Sequence, residues 1–341
     1  MYSKPVLSAE DVPKIMRCPH ILSGYRPVGM SWSDVLRSAF AMHNETINTA
    51  THLLPAPIYW YQTLRVLFGM RGVFDRARDR LALGAYMVTA STLLTTSASF
   101  HLGLCKDVPW FKLLRCCDYE AINFLMNGCY LPAIWLTLGQ LPRHANTARR
   151  YQLVVLAVWL WTTVKNWCSP GSPCGCAATD EVTERSRART QHNFVVIATW
   201  GMIMVAHFCV AHWRDPSMWP KVAQFLRSVT GMWACFGCGF AWYLSLWPEC
   251  SCPGKYDYWF HSHQFWHVFV VLGTWWWYKS MLRLNSLNVQ GRRQAAEVAA
   301  AAFFAKVAKV KPAIYASPTG APAPAFLAAA VLQTARLSAL S

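Results

Sequence analysis

The chain has 341 residues, of which 54% are hydrophobic and only 14% charged, and it carries 18 tryptophans and a formal charge of +16. That composition excludes an ordinary water-soluble globular domain. The basic surplus brings no base-reading motif with it, so nucleic acid is excluded as a partner and anionic lipid headgroups are the implied counterpart.

In chain order, residues 1–50 contain no long apolar run and read as a membrane-adjacent segment, with a helix expected near Trp32 to Met42 and no cleavable signal. Charged residues are costly at the bilayer centre and about 20 apolar residues cross it, so long stretches free of Asp, Glu, Lys and Arg read as spans. These fall near 51–69, where prolines interrupt, then near 81–102, 119–141, 151–167, 194–213, 229–247 and 260–281. Tryptophan and tyrosine crowd the ends, as in Tyr59 to Tyr61 and Trp275 to Tyr278, where amphipathic rings suit headgroup depth. The expected fold is an all-α, multi-pass integral membrane protein of the plasma membrane or an endomembrane, with a seven-transmembrane bundle over 51–283.

The longest connection, 168–193, combines turn formers with charge and is expected to be solvated and mobile. Beyond Arg283 the Ala-, Pro- and Lys-rich segment 284–341 reads as a low-complexity tail, disordered or loosely helical on the membrane surface. An eighth span from Ala325 is not expected, since it would be short and contains Arg336. Of 13 cysteines, Cys129, Cys209, Cys235 and Cys238 lie in spans and read as buried thiols. Cys168, Cys174, Cys176, Cys250 and Cys252 leave a disulfide or a metal open, without the paired CxxC spacing of a zinc ribbon.

Polar residues inside spans need a reason. Ser97 and His101 lie four apart at the end of the second span, Asp118 opens the third, and His263 and His267 lie four apart at the start of the seventh. A spacing of four puts each pair on one helical face, and alternating spans bring all of them to one membrane boundary. Three neutral imidazoles with one open position are the donor set of a hydrolytic zinc site, and a nearby carboxylate can orient or deprotonate a water. Spacing alone also leaves interfacial hydrogen bonding open for these histidines. His261 is offset by six from His267 and is expected to stand aside, while His207 and His212 are expected to be interfacial. Asn44, Glu45, Asn48 and His52 read chiefly as capping and hydrogen-bonding residues that secure the first helix, with lining of the site as the other reading.

Four blocks carry a resemblance to a known family. ILSGYRPVGMSWSDVLRSAFAMHNETINTATHLL at 21–54, SASFHL at 97–102, CDYEAIN at 117–123 and WPECSCPGKYDYWFHSHQFWHVFVV at 247–271 resemble, in order and spacing, the motifs of the progestin and adipoQ receptor (haemolysin III-related) family. The opening block looks most like its membrane progestin receptor branch. The resemblance implies a zinc ion held by His101, His263 and His267 near one membrane face, a water held at the metal by Asp118, and a supporting place for Ser97. It further implies a receptor-like protein that responds to a lipophilic ligand, a steroid or a sphingolipid. A zinc-dependent lipid amidase acting on ceramide, with Asp118 and Ser97 as catalytic residues, is a second function, and a non-catalytic membrane scaffold a third. The Cys-rich 168–193 loop and the Ala-rich tail depart from the family pattern. Orientation stays open, because Arg71, Arg76, Arg78, Arg80, Arg143, Arg149 and Arg150 on one face are balanced by Lys106, Lys112, Arg115, Arg185, Arg187 and Arg189 on the other.

Overall fold

Capped apolar runs account for most of the chain. The computed structural model describes residues 4–70, 72–168 and 180–314, with the side chains of 180–191 and 308–314 left aside. It contains α1 (Trp32–Ser38), α2 (Thr46–Leu53), α3 (Ala56–Leu64), α4 (Ala77–Gly103), α5 (Val108–Leu136), α6 (Ala145–Cys168), α7 (Asp180–His212), α8 (Trp219–Ser245) and α9 (Ser262–Ile314). Among the described residues no strand forms, and β pairing is confined to one antiparallel bridge between Leu7 and Tyr25. Helices within Ala77–Gly103, Val108–Gln140 and His192–His212 are long and apolar enough to cross a membrane.

Local chemistry sets the boundaries. Ser31 starts α1 by accepting a hydrogen bond from the Asp34 amide at 3.1 Å. Asp107 does the same for α5, accepting from the Trp110 amide at 2.8 Å, and Pro109 sits in the first turn, where its missing N–H costs nothing. This start moves α5 well ahead of the span expected at 119. Arg115, expected in a loop, is instead buried within α5 with its guanidinium 5.0 Å from the Phe111 ring centre. Pro55 separates α2 from α3, whose last turn widens into a π-helical turn at Arg65–Gly69.

One further expectation changes. The segment expected to be a loop at 168–193 is helical from Asp180 onward. Of the two alternatives for the tail after Arg283, disordered or loosely helical, the described part takes the helical one, since α9 continues unbroken to Ile314; the possible span from Ala325 lies outside the described residues. Alanine and lysine favour the helix there, and Asn285, Asn288 and Arg292, three and four apart, share one face of it. Asn285 donates to the Val73 carbonyl and Asn288 to the Leu136 carbonyl, each at 2.9 Å. Arg292 binds Asp75 through Nε at 2.7 Å and also reaches the buried Asp79 at 3.3 Å. The extension is thus bonded to the end of the bundle where α4 begins and α5 ends.

The core gathers around the first half of α9. Tyr59 of α3 donates to the Val271 carbonyl at 2.8 Å, Tyr86 of α4 to the Thr274 carbonyl at 2.7 Å, and Trp277 of α9 to the Cys129 carbonyl at 3.2 Å. Each places a large ring in the core while its polar tip satisfies a carbonyl that has no water to bond. A Cβ at Gly128 would lie 2.2 Å from the Thr89 hydroxyl, so glycine there permits the close approach of α4 and α5.

At the other end, residues ahead of α2 fold over the bundle. Val12, Ile21 and Tyr25 make a small core of their own. Asp257, in the connection before α9, accepts from the Leu22 amide at 3.0 Å and the Ser23 hydroxyl at 2.6 Å. Gly24 has φ +85° and abuts Tyr258, where an added Cβ would come within 3.0 Å of the ring. Arg26 donates to the carbonyls of His101 and Leu102 at 2.6 and 2.7 Å, satisfying the exposed C-terminal carbonyls of α4.

Burial by itself would raise the Asp75 carboxyl, but the Arg292 hydrogen bond and charge outweigh it and hold the group below its ordinary value. A depressed native pKa contributes stability that is fully present above the unfolded value of about 3.9 and is lost as the pH falls through the native one. Asp75→Asn should therefore lower stability at pH 7 by about 1 kcal/mol or less for this partly exposed pair. Thermal unfolding in detergent should show the gap from wild type closing as the pH drops below about 4; a gap independent of pH would remove the ion pair as its cause.

Candidate metal centre

His101 lies in the last turn of α4, His263 and His267 in the first two turns of α9, and the fold brings the three rings to one place. Their centroids are 5.1, 4.8 and 4.6 Å apart, and one nitrogen from each forms a set lying within 4.8 Å. The Nε2 atoms of His101 and His263 are 3.3 Å apart. Two ligands on a tetrahedral zinc with bonds of about 2.0–2.1 Å are separated by about 3.3 Å, so this pair already has metal-binding spacing. The third nitrogen is at a distance that side-chain torsion can close. The cluster can hold a metal ion.

The tautomers are set from α2 and the residue that precedes it. Glu45 accepts from His101 Nδ1 at 2.7 Å, with both groups buried. Because a carboxylate only accepts, the proton sits on Nδ1 and the Nε2 lone pair is left facing His263. Asn48 donates to the same Glu45 oxygen at 2.7 Å. On His267, Nδ1 lies 3.1 Å from the Asn48 carbonyl and 3.0 Å from the Thr51 hydroxyl, whose own proton goes to the Asn48 carbonyl at 2.9 Å. Nδ1 is therefore the donor here as well, and Nε2 is again free. Orienting a metal-ligating imidazole through its second nitrogen is the usual device for holding such ligands.

Asp118 is buried in the third turn of α5, deeper in the helix than an opening residue, because α5 starts at Val108. Ser97, one turn before His101 on α4, is beside it. The Oδ1 atom of Asp118 has no hydrogen-bond partner. Ser97, Asp118, His263 and His267 line one end of a cavity of about 270 Å³, which runs between α5, α7, α8 and α9 past Met204, Phe225 and Trp277. The site is thus a polar pole on an otherwise apolar chamber.

Other candidates separate from this centre. His261 is buried and is not among the three whose ring nitrogens can share one ion. His212, expected to be interfacial, is completely buried, its Nδ1 3.3 Å from Arg143 and its ring against His144 and Phe208, because α7 packs this turn against the segment ahead of α6. Cys168, Cys250 and Cys252 are free and exposed, Cys116 is disulfide-bonded, and Cys174 and Cys176 lie outside the described residues. Sequence reasoning took Glu45, Asn48 and His52 chiefly as capping residues. Glu45 makes no side-chain cap and instead holds His101. The available signal was the cost of a buried carboxylate without a basic neighbour in the chain.

A family model described as haemolysin-III related matches residues 40–278, a stretch that includes every residue of the centre. The chain is 24% identical over 294 residues to membrane progestin receptor alpha of Mus musculus, covering 85% of this chain and 79% of that protein. It is 24% identical over 280 residues to progestin and adipoQ receptor family member 3 of Homo sapiens, covering 80% and 83%. Heptahelical transmembrane protein 3 of Arabidopsis thaliana is 22% identical over 306 residues, covering 79% and 84%.

Removing the group that orients His101 should weaken metal binding without dismantling the bundle. Glu45→Ala is expected to lower affinity for a divalent metal about 10–100-fold in competition with a chelator, at unchanged helix content. Equal affinity in the variant would show that Glu45 has no part in the centre.

Proposed function

The chain belongs to the haemolysin-III related family of multi-pass membrane proteins, and on that premise we propose that it is a seven-helix, receptor-like protein with a zinc ion at His101, His263 and His267 and a lipophilic ligand in the adjoining chamber. The observation that carries this reading is the junction of the two features: three convergent imidazoles, two of which, His263 and His267, line a cavity whose walls are mainly apolar. The name of the Arabidopsis relative supports seven spans, with α2 and α3 together as the first, and the names of the animal relatives support a receptor.

An imidazole donor set with carboxylate and carbonyl partners on the far nitrogens suits zinc among the common divalent ions. Ligand entry between helices would trade bilayer lipid for the chamber wall, so selectivity falls to the polar pole and to chamber length. A steroid or a sphingolipid each offers an apolar body with a polar end, and the resemblance to membrane progestin receptors favours the former.

Elemental analysis of purified protein should find about one zinc per chain, lost in His263→Ala. Saturable binding of labelled progesterone to membranes carrying the wild type, absent from mock membranes, completes the expected result. A wild type free of zinc under non-chelating purification would sink the metal assignment, and absence of saturable binding would sink the steroid one.

One observation favours a second reading, a lipid amidase. Asp118 keeps a carboxylate oxygen without a partner inside the chamber, next to Ser97 and the imidazoles. A bound zinc would supply Lewis acidity toward an amide carbonyl and acidify a water to a pKa of about 7. In this reading Asp118 would take a proton from water as its oxygen bonds to the amide carbon and would return that proton to the departing amine as the C–N bond breaks, while Ser97 would orient the carboxylate. Purified protein should then release fatty acid from ceramide, with a loss of about 100-fold or more in Asp118→Ala. Equal release by wild type and variant would eliminate this chemistry.

A further inference from the structure

Besides Asp118 Oδ1, His52 is a buried polar group at this pole without a hydrogen bond. It lies in the last turns of α2, is 2% exposed, and has no hydrogen-bond partner on either ring nitrogen. Its ring is stacked on His267 with a centroid distance of 3.9 Å and an interplanar angle of 7°. It lines the same end of the chamber as Ser97 and Asp118. It is outside the set of nitrogens that can share one metal ion.

Leaving both imidazole nitrogens unsatisfied in a buried site costs about 1–3 kcal/mol per group unless something bonds them. A stacked aliphatic or phenyl side chain would fill the space beside His267 without that cost. A neutral imidazole presents one donor and one acceptor, and Asp118 adds a second acceptor across the same pole. The chamber beyond them is mainly apolar, with Thr199 and the rings of Tyr119, Tyr130 and Tyr243 among its lining.

We propose that His52 positions the occupant of the chamber by hydrogen bonding its polar end, and that this end carries both a donor and an acceptor, as an N-acyl amide does. The inference rests on the second reading above, a chamber that takes a lipid amide, and not on the steroid one, because progesterone offers carbonyl acceptors and no donor; it assigns to His52 no role as a ligand of the metal. His52 holds the lipid head against the Asp118 and His267 side of the pole, with the hydrocarbon running toward Phe225 and Trp277. Its place on α2 links head binding to the segment that orients His101 and His267.

The test uses the full chain in detergent and two pyrene-labelled probes of matched length, an N-acylsphingosine and a plain alkane. His52→Phe keeps the ring stacked on His267 and removes both nitrogens. It should weaken the amide probe by about tenfold or more, the loss expected for one or two buried hydrogen bonds, and leave the alkane probe and the zinc content unchanged. Equal weakening of both probes would mean a structural role, unchanged binding of both would mean no contact, and loss of zinc would place His52 in the metal shell; each overturns the proposal. So does a wild type that binds neither probe. If the Phe variant does not fold, His52→Asn retains one donor and one acceptor, and the same contrast between probes should appear at about threefold, with equal effects on both probes again overturning the proposal. Failure of the metal assignment is read separately, from zinc in the wild type, and leaves the contrast between the two probes intact.

Discussion

The buried hydrogen bond between Glu45 and His101 joins two problems in one contact. A carboxylate this deep needs a partner, and an imidazole at the end of α4 needs a fixed tautomer. At 2.7 Å each answers the other, and Asn48 supplies the second bond to the same carboxylate oxygen. Without that contact the lone pair of His101 would have no reason to face His263, and the residues ahead of α2 would lose their deepest tie to the bundle. The Arg26 bonds to the His101 and Leu102 carbonyls reinforce the tie from the other side of the same turn.

The two ends of the bundle are built on different terms. At the histidine pole, polar residues from α2 and the covering segment reach the backbone and rings of α4 and α9. At the opposite pole, Asn285, Asn288 and Arg292 of the extended α9 satisfy carbonyls and carboxylates contributed by the α3–α4 connection, α4 and the end of α5. Between them the contacts are ring against ring, with tyrosine and tryptophan tips bonded to carbonyls. Central α9 takes part in all three zones.

An apolar chamber that ends on imidazoles, a carboxylate and a hydroxyl serves either binding or hydrolysis, because both need a lipid head held still. The difference lies in whether a proton is moved once the head is held. Asp118, with one oxygen satisfied by no neighbour, is the group on which that difference turns. The receptor and amidase readings would therefore draw on the same geometry.

The sequence by itself determined the membrane class and the approximate helices, since hydropathy is a property of neighbouring residues, and it brought the three imidazoles together only through the resemblance of four blocks to a family. It also named Ser97 and Asp118, though it put Asp118 at a helix start because the Asp107 cap lay outside the apolar run. Tertiary structure alone decided the partners of Glu45 and the isolation of His52. Those contacts join positions 56 and more than 200 residues apart, as from Glu45 to His101 and from Asn48 to His267, and no local pattern encodes them. The continuation of α9 past Arg283 was hidden for a related reason: its alanine-rich stretch looks featureless until the carbonyls that Asn285 and Asn288 bond are in place beside it.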